Sequence, residues 1–390
     1  MLTGSGGLTR KATFMLTGGA KVTYLLAASG LGHWVRRLQA TLEERGNQIK
    51  LYKAAGTRSY EARKDELERY GIPRERYFSI NPSSPLPEGF FEGVDIVYIA
   101  SPNSFHKSQT EQSILRDKVT VTEKALAVKR KDFDEMVSLI RKKAKNRFTL
   151  GLHYLTKALT VEFGKRLPSL VQSYGKVKSI SATFFEETRE EDARREWLFK
   201  PENGGIAMDW IHPISIISHT MKSSSMRLTQ LDGYILQPLY DNVYPTGFSA
   251  RYDVKGEYFS SSCEAIIRVG KGLDIAHKVM RVEFEEAAVD LIYISTDEEF
   301  TTGQRGEVKI AKKGGQEVEV LRPKGPLSYE PMLEDMLRMI NGKEPSLTID
   351  DIVKIYEPEW QLQERIFSEE PVRDKNRIEI FIKEGLSHKV

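Results

Sequence analysis

Val22-Thr23-Tyr24-Leu25-Leu26-Ala27-Ala28-Ser29-Gly30-Leu31-Gly32-His33-Trp34-Val35 is the stretch on which the fold turns. Val22–Ala28 has the length and apolar character of a buried strand. Glycine at 30 permits a tight turn, and glycine at 32 lets the backbone approach a pyrophosphate at the N-terminus of the helix that follows. That helix carries Val35, Leu38 and Leu42 at helical spacing and ends at Arg45-Gly46. Val35 stands where the usual fingerprint has its third glycine. A partial G-x-G is weak evidence alone; its position at a strand–helix junction makes it a candidate dinucleotide turn rather than an ordinary βα turn.

Outward from this turn the same rhythm repeats. Ile49–Ala55, Val94–Ala100, Val119–Thr122 and Phe148–Leu152 read as further buried strands, with a helical pattern from about Tyr60 to Tyr70 before Gly71 and Pro73. Strand and helix in alternation predict a doubly wound parallel sheet of Rossmann type over residues 21–152. Beyond residue 175 the pattern changes. Val177–Phe185 reads as a strand, an apolar helix runs from about Gly205 to Met221, and residues 228–320 read mostly as antiparallel strands. Tyr329–Ile340 and Ile349–Ile366 are helical again. The expectation is a second domain, 153–390, with an open, mostly antiparallel sheet and C-terminal helices that pack back on the first domain. Residues 1–20 hold five glycines between two Met-Leu-Thr-Gly copies and read as a flexible or hairpin arm.

Composition narrows the function classes. The chain has 390 residues, 40% apolar and 29% charged, with a net charge of +3. Two domains and a core needing no disulfide follow from that size. Basic residues are interleaved with acidic ones, so no nucleic-acid footprint emerges. No apolar run reaches the roughly 20 residues that span a bilayer. The single cysteine, Cys263, cannot close an internal bridge, which fits a reducing, cytoplasmic setting.

Cofactor choice is read at the end of the second strand, Lys53-Ala54-Ala55-Gly56-Thr57-Arg58-Ser59. An acid there would hydrogen-bond the ribose 2′-hydroxyl of NAD and repel a 2′-phosphate. Thr57, Arg58 and Ser59 instead offer hydroxyls and a guanidinium, so NADP is expected, with NAD as the alternative. Two further strand ends bring Ser101-Pro102-Asn103-Ser104-Phe105-His106 and Thr122-Glu123-Lys124-Ala125 to the carboxyl edge of the sheet, where ligands bind in such folds. A lysine at that edge can hydrogen-bond a reacting hydroxyl and stabilise it as an oxyanion. Gly204-Gly205-Ile206-Ala207-Met208-Asp209-Trp210-Ile211-His212-Pro213 places Asp209 and His212 three apart on one helix face. Histidine titrates near neutrality and suits the removal of a hydroxyl proton. Alone, a D-x-x-H is more often just the polar turn of a buried helix.

Taken in order, Ala-Ser-Pro-Asn-Ser-Phe-His, Thr-Glu-Lys and Gly-Gly-x-x-x-Asp-x-x-His resemble the Gfo/Idh/MocA oxidoreductases over about residues 20–220, and by element order to about 370. The resemblance implies a nicotinamide held between a Rossmann domain and an open-sheet domain. It implies catalytic roles for Lys124, Asp209 and His212. Gly30 and Gly32 match the family's phosphate turn, and Pro102 and Asn103 its cofactor-lining loop; with the strand-end reading, cofactor contacts are expected from Ser29, Gly30, Leu31, Gly32, Thr57, Arg58, Ser59, Ser101, Pro102, Asn103, His106, Glu123 and Lys124. Ala125 and Val35 depart from the family's proline and glycine. His153-Tyr154-Leu155-Thr156-Lys157 is similar to a phosphate-contacting stretch of glucose-6-phosphate dehydrogenases, which implies a grip on a sugar phosphate by His153 and Lys157, one helical turn apart. The equal alternative leaves Lys157 in solvent. Asp209 and His212 complete the expected substrate contacts. The histidines show no metal-ligand spacing, so no metal is expected.

The reading is therefore an NADP-dependent oxidoreductase acting on a hydroxyl of a sugar, sugar phosphate or cyclitol. The rivals are a non-catalytic NADP-binding sensor of the same fold, and a lyase or glycosidase that cycles a bound NAD. Neither nucleic acid nor membrane is an expected partner. A homodimer or homotetramer is expected, with apolar strand residues between Ser261 and Ser295 as its interface. The charged stretch Glu186–Arg195 is placed near the site.

Overall fold

A computed structural model describes residues 23–45, 48–81, 84–187, 196–236, 244–314 and 317–387. The arm at 1–20 and most of the charged stretch after Glu187 lie outside the described residues. The first six strands are β1 (Tyr24–Ser29), β2 (Ile49–Gly56), β3 (Tyr77–Ser79), β4 (Ile96–Ile99), β5 (Val119–Glu123) and β6 (Phe148–Gly151). They form one parallel sheet in the order β3-β2-β1-β4-β5-β6. The order reverses between β1 and β4, and a crevice opens there at the strands' carboxyl ends. β4 and β5 are buried throughout, as expected for strands covered on both faces.

The helix Asn103–Leu115 has no apolar stripe, and its buried residues are His106, Gln109, Thr110, Ser113 and a single large apolar one, Ile114. The threonines of β5 explain this. Thr110 and Thr122 share a hydroxyl hydrogen bond at 2.8 Å, and Ser113 and Thr120 share one at 2.7 Å. Buried hydroxyls on a strand are satisfied by hydroxyls on the helix laid across it. Val35, in the third-glycine position, is fully buried in the core between the first helix and the sheet.

The second sheet contains β7 (Val177–Glu186), β8 (Ser223–Tyr234), β9 (Gly247–Gly256), β10 (Phe259–Lys271), β11 (His277–Glu283), β12 (Ala287–Ile292), β13 (Glu307–Lys312) and β14 (Glu317–Leu321). Their order is β14-β13-β12-β11-β7-β10-β9-β8, antiparallel except where β10 runs parallel to β7. This is a parallel Rossmann-type sheet followed by an open, mostly antiparallel one. The helix Glu330–Ile340 returns to the first sheet, where Met332, Leu333, Met336 and Met339 join the core of Leu26, Val35 and Ile96. The helix Ile349–Ile366 bridges the halves: Tyr356 stacks on Phe133 at 4.6 Å, its hydroxyl accepting from the Leu126 amide at 2.9 Å.

The alternation of the second sheet corrects the expected interface. Ala265, Ile267, Val269, Met280, Val282, Val289 and Leu291 all point inward to the core. The outward positions carry ion pairs, Arg251–Glu264 and Arg281–Asp290, each at 3.0 Å. Part of that outer face is covered by the chain's own helix Lys375–Leu386, whose Phe381 packs on Phe185 and Tyr234. Strand residues of period two cannot serve core and interface at once. No helix among the described residues is long and apolar enough to cross a membrane.

Candidate active site

The glycine turn is held by backbone geometry. Gly30 has φ +88°, and a Cβ there would lie 2.4 Å from the Ala100 carbonyl oxygen, so only glycine fits. Its amide donates to the Ala55 carbonyl, and the Ala100 amide donates to that of Ser29. Gly32 faces open space. Gln109 ties the turn to the end of β4, because its Oε1 accepts from the hydroxyls of both Ser29 (2.8 Å) and Ser101 (2.9 Å). Nothing in the sequence pattern singled out Gln109, since its partners are 80 and 8 residues away.

A cleft of 970 Å³ opens above this turn, between the two sheets. Ser29, Gly30, Leu31, Gly32 and Thr57 line one end, followed by Ser101, Pro102 and Asn103. Lys124, His153 and His212 line it further along. Lys124 ends β5 half-buried and donates to the Met208 carbonyl at 3.2 Å, which draws its ammonium toward the helix bearing His212. The Lys124–Ala125 peptide bond is cis. His212 lies in the helix Ala207–Ser215, its ring 4.4 Å from that of Tyr154 and 4.7 Å from that of His153. Asp209 belongs to the same helix, but its side chain lies outside the described residues.

Beside the turn is a second hollow of 530 Å³, lined by Leu31, Gly32, Arg36, Arg58 and Arg63 among others. Arg63 donates to the Leu31 carbonyl and pairs with Glu66, as does Arg36. The exposed Arg58 has no carboxylate partner among the described residues, and its carbonyl accepts from Tyr77. Ser59 lies outside both hollows; its hydroxyl accepts from the Ala62 amide.

Three expected contacts are corrected. His106 is buried with both ring nitrogens 2.6 Å from carbonyl oxygens, those of Ser101 and Ala125; it braces the two strand-end loops from behind. Glu123 points into the protein, where Oε1 accepts from Tyr98 at 2.5 Å and from Tyr329 at 3.5 Å. Burial raises its pKa to about 7 against those hydrogen bonds and the charge of Lys124. Lys157 is neither a phosphate ligand nor solvated. It is buried, 2.6 Å from Glu299, whose carboxylate also accepts from the amide and hydroxyl of Ser328. His153 does line the cleft, where Lys157 does not join it. Burial, helped by His212 and the charges of Lys157, Lys124 and Lys278, holds its ring well below the usual imidazole range, hence neutral.

Several cleft residues were not foreseen. Trp34, within the quoted turn, packs on His153 at 4.9 Å and carries the aromatic wall toward Tyr329. Glu186, Lys271 and Lys278 line the far end. Each sits on an inward register with apolar neighbours (Phe184, Val269 and Met280), and that register was the signal available for finding them. Cys263 is buried, and burial pushes its thiol up to about 12, which suits no nucleophile. Among the described residues no group of His, Cys, Asp and Glu is gathered to hold a metal ion.

Residues 30–151 match the family model described as "Oxidoreductase family, NAD-binding Rossmann fold", that of Gfo/Idh/MocA. Over those residues the chain is similar to the Gfo/Idh/MocA family. The two sheets together match the two-domain fold of Gfo/Idh/MocA oxidoreductases. An aldose–aldose oxidoreductase from Caulobacter crescentus, solved with glycerol, aligns at TM-score 0.68 and 17% identity, covering 89% of this chain and 98% of its own. A 3-ketoreductase from Actinomadura kijaniata, solved with NADP and TDP-benzene, aligns at TM-score 0.68 and 14% identity over 89% and 97%. A UDP-N-acetylglucosamine 3-dehydrogenase from Acidithiobacillus ferrooxidans aligns at 0.64 and 12% over 89% and 99%. At such identities the likeness is one of fold. No curated protein matches the chain by sequence. The matched domain thus carries an NAD(P)-binding Rossmann turn, and its cleft is shared with the open-sheet domain.

Proposed function

We propose that this chain is an NADP-dependent dehydrogenase acting on a hydroxyl-bearing carbon of a sugar or cyclitol. The observation that carries the reading is one of convergence: Lys124 and His212 line the same cleft as the Gly30–Gly32 turn. The tight fit of Gly30 against Ala100 and the open space at Gly32 suit a pyrophosphate at the helix N-terminus. Arg58, beside the turn and without a carboxylate partner among the described residues, favours a 2′-phosphate. When bound, the nicotinamide supplies the hydride acceptor.

The protein's part is orientation and proton handling. His212 accepts the hydroxyl proton, and the Lys124 ammonium stabilises the oxygen as negative charge develops on it. Asp209 shares the helix with His212 and is assigned to orient it or to contact substrate. The rings of Trp34 and Tyr154, which also line the cleft, offer the sugar's C–H faces apolar surface. A homodimer or homotetramer is the proposed assembly.

The test is reduction of NADP and of NAD at 340 nm with neutral sugars, sugar phosphates and cyclitols. Turnover with a neutral polyol and NADP supports the reading. Turnover confined to phosphorylated sugars would overturn the reassignment of Lys157. Tight NADP binding with no turnover would favour a sensor, and substrate consumption without net NADPH would favour a lyase or glycosidase.

A further inference from the structure

The far end of the cleft carries a charged group that the proposed chemistry does not use. Lys278, near the start of β11, shares the inward face of that strand with Met280 and Val282 and stands opposite Phe184 of β7, yet its ammonium pairs with Glu186, two residues further along β7. Its side chain is only 14% exposed and lines the cleft. Of its three N–H donors, one goes to Glu186 Oε1 at 2.6 Å and one to the Tyr154 side chain. Burial pulls the pKa of Lys278 down, but Glu186 and Tyr154 outweigh it and hold it above the usual lysine range, so it is a fixed cation.

A second, independent observation points at the same space. His153 also lines the cleft, is buried, and has no hydrogen-bond partner for Nδ1. Lys278 is close enough for its charge to bear on that ring. A buried polar atom without a partner costs free energy unless a ligand supplies one. A cation with a donor to spare beside a neutral imidazole suits a ligand oxygen, which accepts from the first and exchanges a hydrogen bond with the second.

We propose that Lys278, with His153, forms a specificity subsite that binds a substrate oxygen, hydroxyl or carboxylate, on a carbon other than the one oxidised. This deepens the sugar reading given above and rests on it. The subsite admits neutral polyols and sugar acids and rejects ligands with an ammonium at that position, because two buried cations repel.

The experiment measures binding to the NADP-loaded protein through Trp34 fluorescence, alongside kcat and KM at 340 nm. Ligands are a neutral sugar, its acid, and its amino-sugar and deoxy analogues. In the wild type the amino and deoxy analogues should bind at least about tenfold more weakly than the parent. Lys278→Met should raise Kd and KM about tenfold or more while kcat changes less than about threefold, and should lose the discrimination against the amino sugar. The double variant K278M/E186Q, which leaves no buried carboxylate without its lysine, should behave likewise if K278M folds poorly. A larger loss for the acid than for the neutral sugar would identify carboxylate as the preferred group. Equal Kd in wild type and variants, or wild-type binding of the amino sugar as tight as the parent, would overturn the assignment. So would failure of every polyol and acid to bind. Selective binding without hydride transfer would leave the subsite standing and remove the dehydrogenase reading instead.

Discussion

Lys124 and Lys157 illustrate how burial assigns opposite roles to the same side chain. Lys124 reaches the cleft half-buried, donating to the Met208 carbonyl. Lys124→Ala should lower kcat roughly 100-fold or more while leaving NADP affinity within about threefold, read by steady-state kinetics and fluorescence titration. Equal loss of both would remove it from the chemistry. Lys157 is closed inside with Glu299, so Lys157→Met strands a buried carboxylate. A loss of about 3–5 kcal/mol in urea unfolding is expected, with substrate KM unaltered in the folded fraction. Glu123 supplies a pH dependence. Its folded pKa, raised to about 7, exceeds the unfolded value, so its stabilising contribution is full below about pH 4.5 and is lost as pH rises toward 7. Glu123→Gln stays uncharged, and its unfolding midpoint should fall less between pH 5 and pH 8 than the wild type's. The difference should reach up to about 3 kcal/mol, and parallel curves would refute the assignment.

At the scale of elements, the site is built from strand ends. The turn after β1, the loop after β4 and the end of β5 stand side by side because the parallel sheet places them so, and the helix Asn103–Leu115 locks them through Gln109 and His106. Specificity for the cofactor is assigned to the end of β2. Arg58→Ala should weaken NADP binding about tenfold or more and leave NAD binding unchanged, as judged by titration with both. A uniform loss would mean that Arg58 serves the turn and not a phosphate.

For the molecule as a whole, the C-terminal third does two jobs. The helix Glu330–Ile340 completes the core of the first sheet, and Lys375–Leu386 shields Phe185, Tyr234 and Leu273 on the outer face of the second. Ending the chain at Asp374 should uncover that apolar patch and cause self-association visible by light scattering, with NADP binding retained. A truncated chain that stays as dispersed as the full one would show the helix to be dispensable cover.

The local periods of the chain were enough to set its architecture: apolar runs of strand length, the Gly30–Gly32 turn and the switch to alternating strands are local signals, written within a few residues of each other. The motif positions of Lys124 and His212 were legible for the same reason, since strand ends and helix faces follow from local pattern. Whether a polar side chain faces ligand, solvent or core was not. Lys157 met Glu299 across 142 residues, Glu123 met Tyr98 and Tyr329 from two other elements, and Lys278 reached the cleft only through the register of β11 on β7. Those fates depend on which distant groups share a buried space, where the cost of an unpaired charge is highest, and only the tertiary structure brings those groups together.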